Sequence, residues 1–135
     1  MRVGKLIIID GTDGSGKATQ STLLAKKLRR EGFRVAVEDF PQYGKKSAGP
    51  VEDYLNGRYG PAQALGPYLP SIFYAVDRFA ASTRIWESLR RGRVVICNRY
   101  VTANLAHQGG KIRDTRQRER FFRWVLDLEY RLFGI

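Results

Sequence analysis

Acidic residues are scarce in this chain. Its 135 residues hold 13 Asp+Glu against 24 Lys+Arg, a formal net charge of +11. Cysteine occurs once, at Cys97, which excludes an intrachain disulfide. Histidine also occurs once, at His107. A lone histidine is more often a packing or hydrogen-bonding residue than a catalyst, so His107 is given no acid–base role. Long hydrophobic runs are missing too. Near the start the longest is Leu6–Ile9, ended by Asp10. That is too short for a signal peptide or a membrane span, so the expectation is a cytoplasmic protein with no membrane partner. No internal repeat, low-complexity tract or linker interrupts the chain. What is present suits folding: 43% of the residues are apolar and 12% aromatic, enough to build a core, and the length fits one domain. The positive charge admits nucleic acid, anionic lipid or a small phosphorylated substrate as partner.

Short apolar strands alternate with longer helical stretches. Leu6–Asp10 reads as a buried strand and Lys17–Glu31 as a helix. Leu23, Leu24 and Leu28 form that helix's apolar stripe, and Gly32 stands where a terminating glycine belongs. Arg34–Phe40 reads as a second strand, with apolar residues at alternate positions 33, 35 and 37. Residues 41–69 are rich in Gly, Pro and Tyr, with one short helix near Val51–Asn56. A long helix is expected from about Pro70 to Arg91, its core stripe being Ile72, Val76, Phe79, Trp86 and Leu89, with Gly92 past its end. Arg93–Cys97 reads as a third strand, followed by a loop and a last helix over roughly Asp114–Phe133. This order predicts an α/β fold with parallel strands and right-handed crossovers, helices covering both faces of the sheet.

The sharpest motif is Gly11-Thr12-Asp13-Gly14-Ser15-Gly16-Lys17, lying between a strand and a helix. Its G-x-x-x-x-G-K spacing is that of a phosphate-binding loop. Glycines let successive N–H groups curl inward, the helix N-terminus adds partial positive charge, and Lys17 reaches outer phosphates. Gly11, Gly14, Ser15, Gly16, Lys17, Ala18 and Thr19 are the candidate ATP-phosphate contacts. One position departs from the motif. Ala18 stands where Ser or Thr would ligate Mg²⁺, and a methyl group cannot do so.

The chain resembles the thymidylate kinase family of nucleoside-monophosphate kinases. Several segments in family order carry the resemblance: IIIDGTDGSGKATQ at 7–20, EDFPQYG at 38–44, YLNG at 54–57, PY at 67–68, FYAVDRF at 73–79 and NRYVTANLAHQGGKI at 98–112. It implies a three-layer α/β/α phosphate-loop fold and transfer of the ATP γ-phosphate to dTMP, giving dTDP. ATP and dTMP are then the partners. By the same resemblance Asp13 contacts the acceptor nucleotide near its sugar, and Phe40 and Pro41 line the acceptor site. Tyr74 stacks on thymine, Arg78 bonds a base oxygen, and Arg99 clamps the acceptor phosphate. Asn104 reads a thymine edge, with His107 and Gln108 on the same wall. The catalytic set is Lys17, Arg99 and Asp13. Periodicity independently sets Tyr74 and Arg78 opposite the Ile72/Val76/Phe79 stripe, hence outside the core; an exposed cation–π pair would show the same spacing. Asp13 also suits a turn or a helix cap, and Asp77 either orients Arg78 or lines the site. Asn98 replaces a family aspartate of the magnesium region. No protein metal ligand is therefore named, and Mg²⁺ is expected to be carried with ATP.

The family continues beyond a helix like the last one here, with a further strand, a lid over ATP and an adenine-binding loop. The chain thus reads as a single incomplete domain, the N-terminal part of a member. Its first strand is expected to be a sheet edge along which a second copy could pair. Two alternatives share the nucleotide-binding reading: a catalytically inactive fragment, and a kinase for another nucleoside monophosphate. A nucleic-acid module is the third. It is suggested by Arg113, Arg116, Arg118, Arg120 and Arg123 but disfavoured, because those residues spread around their helix without an aromatic platform.

Overall fold

The computed structural model describes residues 3–135. By contacts the chain divides into two compact units. One holds the residues up to Phe40 together with Ala81–Tyr100, the other Pro41–Ala80 and Val101–Ile135.

The first unit carries a three-stranded parallel sheet of order β1-β3-β2, with β1 at Lys5–Ile9, β2 at Val35–Asp39 and β3 at Val94–Asn98. The register aligns Leu6 with Val95 and Ala36 with Val95, so β3 has a neighbour on each side. Its continuous apolar sequence follows from that position: Val94, Val95, Ile96 and Cys97 are all buried. Helix α1, Lys17–Arg30, packs Ala25 against Val94 and Ile96, with Ile7, Ile9, Leu24, Leu28, Phe33 and Val35 around them. The helix closes on a left-handed glycine. Gly32 (φ 86°) donates to Arg29 O at 3.1 Å and Phe33 donates to Leu28 O at 3.0 Å, which satisfies two terminal carbonyls.

The second unit contains α2 (Gly49–Leu55), the first part of a long helix α3 (Tyr68–Arg90), α4 (Val101–Gly109), α5 (Thr115–Leu126) and a π-helical turn at Asp127–Leu132. The remainder of α3 belongs to the first unit. Phe121, Val125, Val51 and Val101 are buried, and Tyr68 meets the rings of Phe121 and Trp124 edge-on at 5.2 and 4.8 Å. Asp114 caps α5, its Oδ1 accepting from Gln117 N at 2.8 Å.

The strands, α1 and the long helix fall within a residue or two of their expected bounds. Five expectations are corrected. β1 is the edge strand the sequence leads one to expect, but it is not buried: Leu6 and Ile8 are exposed. Residues 101–109 form α4 rather than a loop. The last helix is broken: α5 ends at Leu126 and a wider π turn follows. Leu23 and Val37 are exposed, so the stripe of α1 passes through Ser21 and Ala25 instead, and β2 turns Val37 outward. The largest correction concerns α3. Ile72, Val76, Phe79 and Trp86 are exposed, whereas Ser71, Ala75, Arg78, Ala81, Ser82 and Ile85 are buried. Hydrophobic periodicity identifies residues that share a face. Here the covered face is the one of small residues, which permit close approach, and the expected core stripe points outward.

Candidate active site

In the first unit the phosphate loop leaves the end of β1. Gly14 (φ 75°) and Gly16 (φ 91°) take left-handed conformations that side chains rarely adopt. Gly16 is the N-cap of α1 and supplies no side-chain bond to its opening amides, which stay available to an anion. Ser15 N donates to Thr12 O at 3.2 Å and closes the loop, while Gly11 N donates to Asp10 Oδ1 at 3.0 Å. Lys17 folds back, its Nζ donating to Thr12 O at 2.7 Å, so the ammonium sits over the loop. Thr19 and Ala18 follow in the first turn of α1, both exposed. Asp13 does not cap that helix.

Arg99, just past β3, is the non-glycine residue with positive φ (63°) among the described residues. Its N–H donates to Ile9 O at 2.9 Å, which ties this strained position to the end of β1. Its guanidinium pairs with Asp13 of the phosphate loop. The Asp13 side chain is 88% exposed, so the pair adds little stability and leaves the cation beside the loop. Phe40, at the end of β2, is buried edge-on against Tyr100 with ring centroids 5.7 Å apart.

Chemistry at the magnesium positions is unlike a metal cage. Ala18 offers a methyl group. The Asn98 amide is spent on neighbours, its Oδ1 accepting from Ser21 and its Nδ2 donating to Asp39. Among the described residues no three His, Cys, Asp or Glu side chains cluster as a metal site. These residues do not fit a protein-held divalent ion. Beneath them Cys97 is sealed in β3. Burial above all, then the Glu38 and Asp39 charges, pushes its thiol up to about 12.

The second unit gathers Arg78 of α3 and Asn104 of α4 around Glu129. Arg78 donates in a fork to Glu129, from Nε to Oε1 and from Nη2 to Oε2, the latter at 3.0 Å. Both side chains are buried. This corrects the expectation that Arg78 lies outside the core: it occupies the covered face of α3, which a buried carboxylate makes tolerable. Burial raises the Glu129 carboxyl above the usual range, while Arg78 and a hydrogen bond from Asn104 pull it back in part. Asn104 Nδ2 also donates to Ser71 O at 3.3 Å. Gln108 is buried one turn further along α4, but His107 is exposed, so the two do not share a wall. Tyr74 lies partly buried with its ring edge-on to Tyr54 at 6.5 Å. Pro41 is buried beside Gln42. Asp77 neither bonds Arg78 nor faces outward. It accepts from Gln42 N at 2.8 Å and Ser47 Oγ at 2.7 Å, anchoring the segment after Pro41 to α3. A concavity of about 620 Å³ lies elsewhere in this unit, lined by Tyr68, Lys111, Arg113, Gln117 and Arg120 among others. None of these is among the residues the resemblance assigns to ATP or dTMP; Arg113 and Arg120 belong to the basic set that suggested a nucleic-acid module.

Glu129 and Ser21 escaped sequence reading. Glu129 had a signal: with Phe121 and Val125 it continues an i, i+4 row, where a carboxylate breaks an apolar stripe.

A parallel sheet whose first strand runs through a Gly-rich, Lys-bearing turn into a helix defines a phosphate-loop α/β protein. The model of the family described as thymidylate kinase matches residues 9–121. A thymidylate kinase of Pelotomaculum thermopropionicum is 37% identical over 107 residues, covering 78% of this chain and 48% of that protein. One of Mycobacterium tuberculosis is 32% identical over 131 residues, covering 96% of this chain and 60% of that protein. The chain belongs to the thymidylate kinase family, and it spans about half the length of these relatives. A solved thymidylate kinase of Candida albicans superposes with a TM-score of 0.74 at 23% identity. The match covers 93% of this chain and 56% of that one, and it supports the fold. No helix among the described residues is long and apolar enough to cross a membrane.

Proposed function

We propose that this chain binds ATP and dTMP as part of a thymidylate kinase and takes part in transfer of the γ-phosphoryl group to dTMP, giving dTDP. The observation that carries the reading is the Arg99–Asp13 pair set beside a Lys17-bearing phosphate loop in one unit. In this reading the loop amides and Lys17 hold the ATP phosphates. An oxygen of the dTMP phosphate attacks the γ-phosphorus and the bond to the bridging oxygen breaks, releasing ADP. The attacking phosphate is already anionic, so no general base is required and His107 needs no role. Positioning and charge neutralisation do most of the work. Arg99 presents a planar fork to the acceptor phosphate, exchanging Asp13 for it, while Asp13 turns to the sugar. Phe40, Pro41, Tyr74, Arg78, Asn104 and Gln108 are assigned to the acceptor nucleotide. Since the protein side chains do not fit a metal cage, no step is routed through a bound cation; Mg²⁺ would arrive on the phosphates of ATP.

A cytoplasmic homodimer completes the reading. The exposed row Leu69, Ile72, Val76 and Phe79 on α3 supports association, because it is an uncharged apolar face that a second copy can match with its own.

The test is a coupled assay for ADP with dTMP, dUMP, dCMP and dGMP, beside calorimetry with dTMP alone. The expected result is a binding heat for dTMP and ADP formation that depends on it. Absence of binding by any nucleotide overturns the assignment.

A further inference from the structure

Glu129 reaches, from the π turn after α5, the two side chains assigned to the acceptor base. Its carboxylate takes both Nε and Nη2 of Arg78, so Nη1 is the nitrogen left to meet another acceptor. On α4, the Asn104 amide donates to Ser71 O at 3.3 Å. With its NH₂ end turned to the Ser71 carbonyl, its Oδ1 is left buried with no hydrogen-bond partner. Gln108 Oε1, one turn along α4, is likewise buried without a partner. A buried acceptor lacking a donor is costly, and two of them one turn apart on α4 make a face that calls for N–H groups.

We infer that Glu129 is a positioning residue for base specificity, fixing a donor (Arg78) beside an acceptor (Asn104 Oδ1) so that the pair fits a keto pyrimidine and refuses an amino one. The inference rests on the proposed function, in which Arg78 and Asn104 face the base. Thymine and uracil present a carbonyl oxygen next to an N3–H, which complements that order. Cytosine presents an exocyclic NH₂ next to a bare N3, which opposes it donor to donor and acceptor to acceptor. Without the Glu129 charge the Arg78 fork loses its anchor and its Nη1 is no longer held in one place. The preference should then shrink even if overall folding survives.

The experiment compares dTMP and dCMP binding by calorimetry in the wild-type chain, Glu129→Gln and Glu129→Asp, with thermal melting and ATP binding measured alongside. A purely structural role would weaken both nucleotides together and leave their ratio unchanged. Our expectation is that the wild type prefers dTMP and that Glu129→Gln narrows the dTMP/dCMP ratio by about tenfold or more, with ATP binding retained. Glu129→Asp keeps the charge but cannot span both arginine nitrogens, so its ratio should fall between the two. It also serves as the reporting variant if Glu129→Gln fails to fold. A wild-type ratio in the folded variants overturns the inference alone. A wild type that binds no pyrimidine nucleotide overturns the proposed function and the inference with it.

Discussion

Arg99 is held at φ 63°, where a side-chain-bearing residue is strained by about 1 kcal/mol or more. Such a conformation persists because the surrounding backbone enforces it, here through the bond to Ile9 O. Arg99→Gly therefore separates two effects. The variant should melt at or slightly above the wild type, since the strain is relieved and only an exposed ion pair is lost. It should also lose dTMP affinity, since no fork remains for the acceptor phosphate. Wild-type dTMP binding in Arg99→Gly would remove the residue from the acceptor site. Cys97 gives a prediction in pH. Its thiol is raised to about 12 in the fold, against an unfolded value of about 8.5. The unfolded chain therefore ionises first, and stability is lost as pH rises above the unfolded value. The slope approaches about 1.4 kcal/mol per pH unit. Between pH 8.5 and 10 this amounts to about 2 kcal/mol. Denaturant titrations should show the wild type losing this stability relative to Cys97→Ala, and an unchanged difference would contradict the burial argument.

At the scale of elements, α5 depends on its start. Asp114 satisfies Gln117 N at 2.8 Å, and Asp114→Ala should cost about 1 kcal/mol in a denaturant melt, with Asp114→Asn recovering most of it. That helix start was legible, because an aspartate preceding an apolar-periodic run is a capping signal. So were β1, α1 and β3, where short apolar runs meet Gly and Asp. Helix α4 was not legible. It opens at Val101 with no acidic residue in its first turn and ends at Gly109-Gly110, so its composition reads as loop. The face of α3 was inverted because Ala75, Ala81, Ser71 and Ser82 carry little hydrophobic signal, yet they are the residues that let the helix pack closely. For the site, the phosphate loop and Arg99 could be read from local motifs. The Arg78–Glu129 pair could not, because it joins residues 51 positions apart and no local spacing reports it.

At the scale of the whole molecule, apolar surface and net charge oppose each other in self-association. Val76 is 38% exposed and Phe79 50%, and burying such side chains against a second copy favours pairing by about 25 cal/mol per Å² removed from water. Each copy also carries a formal net charge of +11, so two copies repel over a distance set by the Debye length, about 10 Å at 0.1 M salt. Salt screens the repulsion without weakening the apolar contact. Association should therefore strengthen as ionic strength rises, the opposite of what a charge-driven complex with nucleic acid would show. Sedimentation velocity across chain concentration and salt reads this directly. The expected pattern is a monomer–dimer equilibrium shifting to dimer at high salt, with Val76→Glu monomeric throughout, because an ionised carboxylate in the middle of the α3 row would have to be desolvated to pair. Val76→Glu should melt close to the wild type, since its side chain faces outward. A wild type that stays monomeric at high salt, or a Val76→Glu variant that dimerises as readily, would take the α3 face out of the interface.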